Sequence, residues 1–291
     1  MRPILSSLAV ALAATAILAA PAVAQGSTPP ASPPGDNAPD TGGDRITIGV
    51  GAASLPDYEG ASDNSWSPGA VAIGTVGGYD FFTRGTQLYV DLLKDAPGPG
   101  LKYELGVIGA VRLDRTNDID NRQVAALGEL DTAYEVGGFV GVNRTGVITS
   151  DFDTLTARVA VVQDVSKTHR SYVITPQINY TTPLSYSTLV SFGASADYVG
   201  KGYGRTYFSV TGPQSLASGL RAYDAADAGW KRFNLSAFAL QSLSGDLRRG
   251  FGIGAGVLYG KMLGRYKRSP IVQDVGDADQ WSFAAGLTYT F

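Results

Sequence analysis

The stretch Trp281-Ser-Phe-Ala-Ala-Gly-Leu-Thr-Tyr-Thr-Phe291 decides the fold of this chain. Every second residue from Trp281 to Phe291 is apolar, whereas the intervening residues, from Ser282 to Thr290, are small or polar. Strict alternation with aromatic residues at both ends predicts a membrane-spanning β-strand. The apolar face of such a strand meets lipid, and its small polar face meets the lumen of a barrel. A terminal Phe that closes the strand resembles the C-terminal signature of bacterial outer-membrane barrels.

The alternation recurs along the chain, most clearly in residues 250–260, where apolar residues alternate mainly with glycine. The connections between the alternating segments come in two sizes. Some are tight turns, such as Asn143-Arg-Thr-Gly146, and others are long polar loops at 114–132, 201–228 and 263–279. Outer-membrane barrels place short turns in the periplasm and long loops outside the cell. The two sizes therefore orient the predicted strands.

Counting back from a last strand that ends in the periplasm predicts an all-β fold, a closed antiparallel barrel of about twelve strands. Correct alternation of turns and loops requires a break near Arg84-Gly85. The predicted strands are 45–54, 67–76, 78–84, 86–94, 101–114, 133–143, 148–164, 170–183, 186–200, 229–243, 247–262 and 280–291. A barrel of ten strands, with residues 45–54 outside it, is the alternative.

The N-terminal region predicts export from the cytoplasm. Residues 1–24 have the pattern of a signal peptide, with Arg2, an apolar run, and the small-residue motif Ala22-Val-Ala24 at which cleavage is expected. Residues 25–44, rich in Pro, Gly, Ser and Asp, are predicted to be a disordered periplasmic segment. The barrel is then expected to occupy residues 45–291.

Composition excludes several classes of function. The chain has no Cys, which rules out disulfide bonds, thiol catalysis and Cys-metal sites. It has 37 Gly, 15 Tyr and only 17% charged residues, which suits a barrel better than a soluble α/β domain. A formal net charge of −3 argues against a nucleic-acid-binding protein.

Two blocks near the start of the barrel resemble the MipA/OmpV family of outer-membrane proteins. They are Gly49-Val-Gly-Ala-Ala-Ser-Leu-Pro-Asp-Tyr-Glu-Gly60 and Phe81-Phe-Thr-Arg-Gly85, and the end of the chain agrees with the family as well. The resemblance covers about residues 45–291. The residues that carry it are Gly49, Gly51, Pro56, Tyr58, Gly60, Phe82, Arg84 and Gly85, together with Tyr289 and Phe291 at the terminal strand.

The resemblance implies a barrel in the Gram-negative outer membrane, surrounded by membrane lipid and lipopolysaccharide. Tyr289 and Phe291 would then form the signal that the barrel-assembly machinery recognises. The family's name-giving member is a scaffold that joins a lytic murein transglycosylase to a bifunctional penicillin-binding protein. A non-catalytic scaffold is accordingly the leading expectation for this chain. A small-solute channel or a surface adhesin is the alternative.

Candidate chemistry is sparse, and neither a catalytic residue nor a cofactor is predicted. The one His, His169, lies in a predicted extracellular hairpin, where a solvated position is expected. Asp57, Glu59 and Asp63 suit either a divalent cation or, as we favour, a loop corner that places Tyr58 at the aromatic girdle. Charged residues on lumen-facing positions would either line a narrow pore or pair across it. These are Lys102, Glu104, Arg112, Glu135, Arg158, Asp197, Arg232 and Arg248.

Overall fold

The computed structural model describes residues 43–94, 98–116 and 119–291. Twelve antiparallel strands in these residues close into a barrel in which each strand pairs with its neighbours in sequence. The strands are β1 (Arg45–Pro56), β2 (Asn64–Val76), β3 (Tyr79–Arg84), β4 (Gln87–Asp91), β5 (Leu101–Arg112), β6 (Ala133–Thr145), β7 (Thr154–Asp164), β8 (Tyr172–Pro183), β9 (Thr188–Val199), β10 (Gly229–Ser242), β11 (Gly250–Met262) and β12 (Asp279–Thr290).

Short helices lie in the long connections. They are α1 (Arg122–Ala125), α2 (Lys201–Phe208), α3 (Gly212–Ser218), α4 (Gly264–Lys267) and α5 (Pro270–Gln273). In the described part of the chain, none of the helices is long and apolar enough to cross a membrane. The predicted signal peptide and residues 25–42 of the predicted periplasmic segment lie outside the described residues.

The first and last strands close the barrel. β1 pairs with β12 from Thr47↔Thr290 to Ser54↔Phe283, and it pairs with β2 along its other edge. The twelve-strand prediction is therefore confirmed, and the ten-strand alternative is wrong because β1 is part of the wall. The period-two pattern decides the facing of β12, where Trp281 and Phe283 are exposed and Ser282 is buried.

The break predicted near Arg84-Gly85 is confirmed. β3 ends at Arg84, β4 begins at Gln87, and Arg84 pairs with Gln87 across the turn. Gly85 has φ = +59°, a left-handed conformation that glycine adopts without the steric cost of a Cβ atom. The hairpin is short, with six residues in β3 and five in β4.

Two strands, β7 and β11, begin at least three residues later than predicted, for local reasons. β7 begins at Thr154 instead of residue 148, because the Asp153 carboxylate accepts hydrogen bonds from the backbone N–H groups of Val147 and Ile148 and holds a turn there. β11 begins at Gly250, so the predicted lumen position of Arg248 is wrong. Arg248 lies in the preceding turn, where its guanidinium pairs with Asp246 at 3.1 Å.

The two ends of the barrel differ. Short connections at 77–78, 146–153, 184–187 and 243–249 lie at one end, which the parity of outer-membrane barrels assigns to the periplasm. The helix-bearing loops at 113–132, 200–228 and 263–278 lie at the extracellular end. Much of the buried aromatic core sits under these loops and not in the middle of the wall.

Candidate functional site

The extracellular loops fold inward over the lumen. Three aromatic residues of α2, Tyr203, Tyr207 and Phe208, are almost completely buried, and so is Tyr266 of α4. The rings of Tyr203 and Tyr207 are 4.6 Å apart, and those of Phe208 and Tyr266 are 5.3 Å apart. Aromatic burial of this extent stabilises the loops strongly, because each ring removes a large apolar area from water. We call residues 57–63, 200–228 and 263–278 the loop plug.

The first loop adds its own contacts to the plug. Tyr58 is buried against Ile271, so its predicted place at the aromatic girdle is wrong. Its hydroxyl donates to the backbone carbonyls of Ile271 and Val275 at 3.4 Å each. Gly60 has φ = +100°, which turns the chain back toward β2. A loop corner is therefore present, but it faces inward and not toward lipid.

Below the aromatic rings lies a buried ionic network centred on Glu59. Lys231 Nζ donates to Glu59 Oε1 at 2.5 Å, and the Tyr203 hydroxyl donates to Glu59 Oε2 at 2.8 Å. Arg112 donates to the Tyr203 hydroxyl at 3.1 Å and lies 3.9 Å from the Glu59 carboxylate. The side chains of Glu59 and Lys231 are only 1% and 2% exposed. Charges buried this deeply persist only when paired, so the network ties the loop plug to the wall.

The network continues to a second carboxylate, Glu135 of β6. Arg112 Nε and Nη2 bind its two oxygens at 2.9 and 3.1 Å, a bidentate pair. His169 Nε2 lies 2.9 Å from Glu135 Oε1. The expectation of a solvated His169 is wrong, because the hairpin between β7 and β8 folds over the lumen and places the imidazole against Tyr203 and Tyr207.

A β-bulge gives the lumen two adjacent cations. The register between β9 and β10 shifts between Trp230 and Arg232, and as a result both Lys231 and Arg232 are buried inside the barrel. Both lie near Asp197 Oδ2, at 3.8 and 3.5 Å. Strict alternation would have directed only one of the two inward, so Lys231 was missed from the sequence.

A second charged layer lies deeper in the lumen. Arg158 Nε binds Glu104 Oε2 at 2.7 Å. Its guanidinium stacks 4.7 Å from the ring centroid of Phe82 and 5.1 Å from that of Phe139, and Tyr89 packs beside them. Cation–π contacts of this kind are strongest where water is excluded. The layer joins β3 and β4 to β5, β6 and β7 through the lumen.

Arg84, at the tip of the short hairpin, crosses the lumen. Its Nη1 donates to Gln177 Oε1 of β8 at 2.6 Å, and its Nη2 donates to the Ser195 hydroxyl of β9 at 3.3 Å. Asn234 of β10 donates to the same hydroxyl at 3.3 Å. Gln177 Nε2 and Asn234 Oδ1 are buried and have no hydrogen-bond partner among the residues that the structure describes. We call Arg84, Gln177, Ser195 and Asn234 the mid-lumen polar cluster.

Burial shifts the pKa of groups in the loops. Burial and the nearby Glu59 carboxylate raise the pKa of Asp114 to about 6, although Arg115 and Arg112 oppose the shift. Burial raises the pKa of the Tyr203 and Tyr207 hydroxyls as well, so both remain neutral donors at physiological pH. Asp114 also accepts a hydrogen bond from the Glu59 backbone N–H at 3.1 Å, which fixes Glu59 from behind.

The predicted site residues separate into distinct groups. Asp57 accepts a hydrogen bond from Ser65, Glu59 pairs with Lys231, and Asp63 is exposed. No group of three or more metal-binding side chains occurs in residues 43–94, 98–116 and 119–291. Lys102 lies on the lumen face of β5, and Gly49 and Gly51 lie in β1 against β12. The remaining predicted charges lie inside the barrel: Glu104, Arg112, Glu135, Arg158, Asp197 and Arg232.

The end of β12 lies at the periplasmic rim. Phe291 is exposed, and its backbone N–H donates to the Ile46 carbonyl of β1 at 2.9 Å. The ring of Tyr289 packs against the rings of Phe251 and Phe291, each 4.8 Å away. These aromatic residues belong to the girdle expected at a membrane interface.

Comparison with known proteins matches the chain to one family and to several barrels. The sequence model of the family described as MltA-interacting protein MipA matches residues 48–291. No curated protein sequence matches this chain. Among solved structures, the outer-membrane channel DcaP of Acinetobacter baumannii aligns with 9% identity and a TM-score of 0.38, over 88% of this chain and 99% of that one.

Two further solved structures are similar at the same level. An outer-membrane channel of Pseudomonas putida F1 aligns with 11% identity and a TM-score of 0.44, over 89% of this chain and 99% of that one. The toluene transporter TodX of Pseudomonas putida aligns with 9% identity and a TM-score of 0.36, over 91% and 95% of the two chains.

Proposed function

The chain belongs to the MipA family, and from that premise we propose that it is a non-catalytic outer-membrane scaffold for murein-remodelling enzymes. The family's description names MltA as an interacting protein, and the family resemblance implies that this partner is a lytic transglycosylase. A penicillin-binding protein is the second expected partner. Both would bind from the periplasm, so we expect their docking surface at the periplasmic end of the barrel.

Three successive periplasmic turns carry a row of exposed apolar side chains, and this row is the main support for the proposal. Ile148 and Phe152 project from the turn between β6 and β7, Leu184 and Tyr186 from the next turn, and Leu243 from the third. Tyr186 is 86% exposed. Contiguous exposed apolar patches commonly mark protein–protein contacts. We call these five residues the periplasmic platform.

Hydrogen bonds hold the platform in shape. The Asp153 carboxylate accepts from the backbone of the first turn and from the Tyr180 hydroxyl at 2.9 Å. The Leu247 N–H donates to the Tyr186 carbonyl at 3.0 Å, which joins the second turn to the third. A preorganised surface loses less entropy when a partner binds, which favours a docking role.

The loop plug at the extracellular end agrees with a role that does not depend on conduction. Glu59, Lys231 and Arg112 link the loop plug to the wall, and Arg158 with Glu104 forms a second barrier below it. The competing proposal of a small-solute channel requires an open axial path. Planar-bilayer recording separates the two, since we expect no single-channel steps from the wild-type barrel.

A pull-down from solubilised envelopes tests the scaffold. We expect tagged wild-type barrel to recover a lytic transglycosylase and a penicillin-binding protein, both identified by mass spectrometry. The double variant Ile148→Asp/Phe152→Asp should lose both, because it places charges on the platform. Leu216→Asp is the matched control, since Leu216 is 90% exposed on the extracellular helix α3. Recovery of neither enzyme by the wild-type barrel would contradict the proposal, and so would unchanged recovery by the double variant.

Assembly is a separate proposal. The exposed aromatic residues Tyr289 and Phe291 at the end of β12 would be recognised by the barrel-assembly machinery. Phe291→Ala should then slow insertion in cells while leaving refolding of purified protein into detergent unchanged. Equal slowing in both settings would show that the residue acts only on folding.

A further inference from the structure

The barrel wall is incomplete above the short hairpin. β2 has thirteen residues, but only Ile73 to Val76 pair with β3. On the far side of the hairpin, β4 pairs with β5 only from Gly106 to Ala110. In residues 43–94, 98–116 and 119–291, no strand pairs with Asn64–Val71 along the edge of β2 that faces the hairpin. The unpaired edge is about 25 Å long at the usual rise of a strand.

The backbone geometry shows which residues face this gap. The Thr83 hydroxyl accepts a hydrogen bond from the backbone N–H of Ala72 at 2.9 Å and donates one to the Ala72 carbonyl at 3.3 Å. These side-chain bonds end the backbone pairing between β2 and β3. Alternate residues of a strand direct their backbone groups to the same edge, so Ala70, Pro68 and Trp66 face the gap. Pro68 has no N–H to leave unpaired, and proline within a strand is confined to such free edges.

The gap lies at membrane depth. Trp66 is 69% exposed and belongs to the outer aromatic girdle, because Asn64, two residues away, donates to the Trp281 carbonyl at 2.8 Å. Residues 67–71 therefore lie below the girdle, toward the middle of the membrane. An open backbone edge facing hydrocarbon is costly, since no water is available to satisfy it. Because an open strand edge at this depth costs free energy, we expect it to serve a function.

Gly69 leaves open space behind the gap. Gly69 occupies a lumen-facing position of β2 but is exposed, and a Cβ atom built on it would meet no atom within 4 Å. Beside it, the hydroxyl of Ser67 is buried and finds no hydrogen-bond partner within the described part of the chain. Inside the barrel at the top of the hairpin lies the mid-lumen polar cluster, with its unpartnered Gln177 Nε2 and Asn234 Oδ1. A ligand would satisfy these groups.

We propose that the gap is a lateral portal through which an apolar carboxylate from the membrane reaches a binding site at Arg84. The Arg84 guanidinium donates to the neutral groups of Gln177 and Ser195. The Asp197 carboxylate, which its charge also reaches, is already paired with Lys231 and Arg232. A carboxylate head group complements the Arg84 guanidinium, because guanidinium binds carboxylate with two parallel hydrogen bonds. Phe82, which is half-buried on the same hairpin, provides an apolar surface for the tail.

A strand from another protein is a less suitable occupant of the edge. Pairing along β2 would place Pro68 opposite a carbonyl that it cannot satisfy. It would also leave the cation and the unpartnered groups inside the lumen unused. The portal is independent of the periplasmic platform, so either proposal can fail without the other.

Reversible closure of the portal tests the proposal. The chain has no Cys, so Gly69→Cys introduces a single thiol beside the gap. After refolding in detergent, a bulky methanethiosulfonate reagent modifies this thiol, and binding of cis-parinaric acid is followed by its fluorescence. We expect saturable binding before modification, an affinity at least about tenfold weaker after it, and recovery when the label is reduced.

Two matched variants make the result specific. Gly109→Cys on β5 is the control for the label, because a Cβ atom there also meets nothing within 4 Å but the residue faces lipid. Arg84→Gln should weaken binding of the acid by about tenfold but leave binding of its methyl ester unchanged. Absence of saturable binding to the wild-type barrel would overturn the proposal. Unchanged binding after labelling at residue 69, or equal effects at residues 69 and 109, would also overturn it.

Discussion

The Glu59–Lys231 pair offers the sharpest test of the loop plug. Lys231→Met keeps the length of the side chain but removes the charge that faces Glu59 at 2.5 Å. Loss of one partner from a buried ion pair leaves the other charge uncompensated and costs about 3–5 kcal/mol. Tyr203 still donates to Glu59 and Arg112 remains 3.9 Å away, so we expect a value near the lower limit.

The double variant Glu59→Gln/Lys231→Met separates the charge effect from packing. With both charges removed, no buried charge remains uncompensated, and we expect the free energy of unfolding to lie within about 1 kcal/mol of the wild-type value. Urea unfolding in lipid vesicles, followed by the fluorescence of the three Trp residues, measures all members of the cycle. Single variants that each lose less than about 1 kcal/mol, and whose losses add in the double variant, would refute a paired interaction at this site.

Three further predictions concern the loops and turns. Asp114→Asn should stabilise the protein at pH 7 by at most about 3 kcal/mol, because its folded pKa of about 6 lies above the unfolded value. The cost of the charge is lost as pH falls through 6, so the difference from wild type in urea unfolding should shrink toward pH 5. Gly85→Val should cost about 1–3 kcal/mol through its positive φ, whereas Gly109→Val, measured in the same way, should cost less. Asp153→Ala should destabilise the turn at 146–153 by about 1–3 kcal/mol and speed its cleavage by protease, because several backbone N–H groups lose their acceptor.

Much of the wall could be predicted from the sequence because the environment of each residue follows a simple period. Lipid lies on one side and the lumen on the other, so the pattern around Trp281 and Phe251 identifies strands and their facing. Connection length then orients them. The break at Gly85 follows from parity alone, because an even number of strands must close the barrel.

The loop plug could not be predicted by the same means. Glu59 and Tyr203 are 144 positions apart in the chain, yet their side chains share a hydrogen bond. Periodicity carries no information about such contacts. The inward position of Lys231 depends on a β-bulge that the local pattern of residues does not predict. Two adjacent cations after Trp230 are the one feature of the sequence that could indicate it. Periodicity also gives no sign that the hairpin between β7 and β8 bends over the lumen. The burial of His169 therefore could not be predicted from the sequence.

The two family blocks act on two different routes into one lumen. The first block contributes Glu59 and Tyr58 to the plug, which closes the axial route from outside the cell. The second block forms the short hairpin, with Thr83 ending the β2 ladder and Arg84 crossing the lumen. A barrel that is plugged at its extracellular mouth but notched in its wall offers a route from lipid that does not pass through the plug. An absence of ion conductance would therefore not argue against the portal, and only ligand binding tests it.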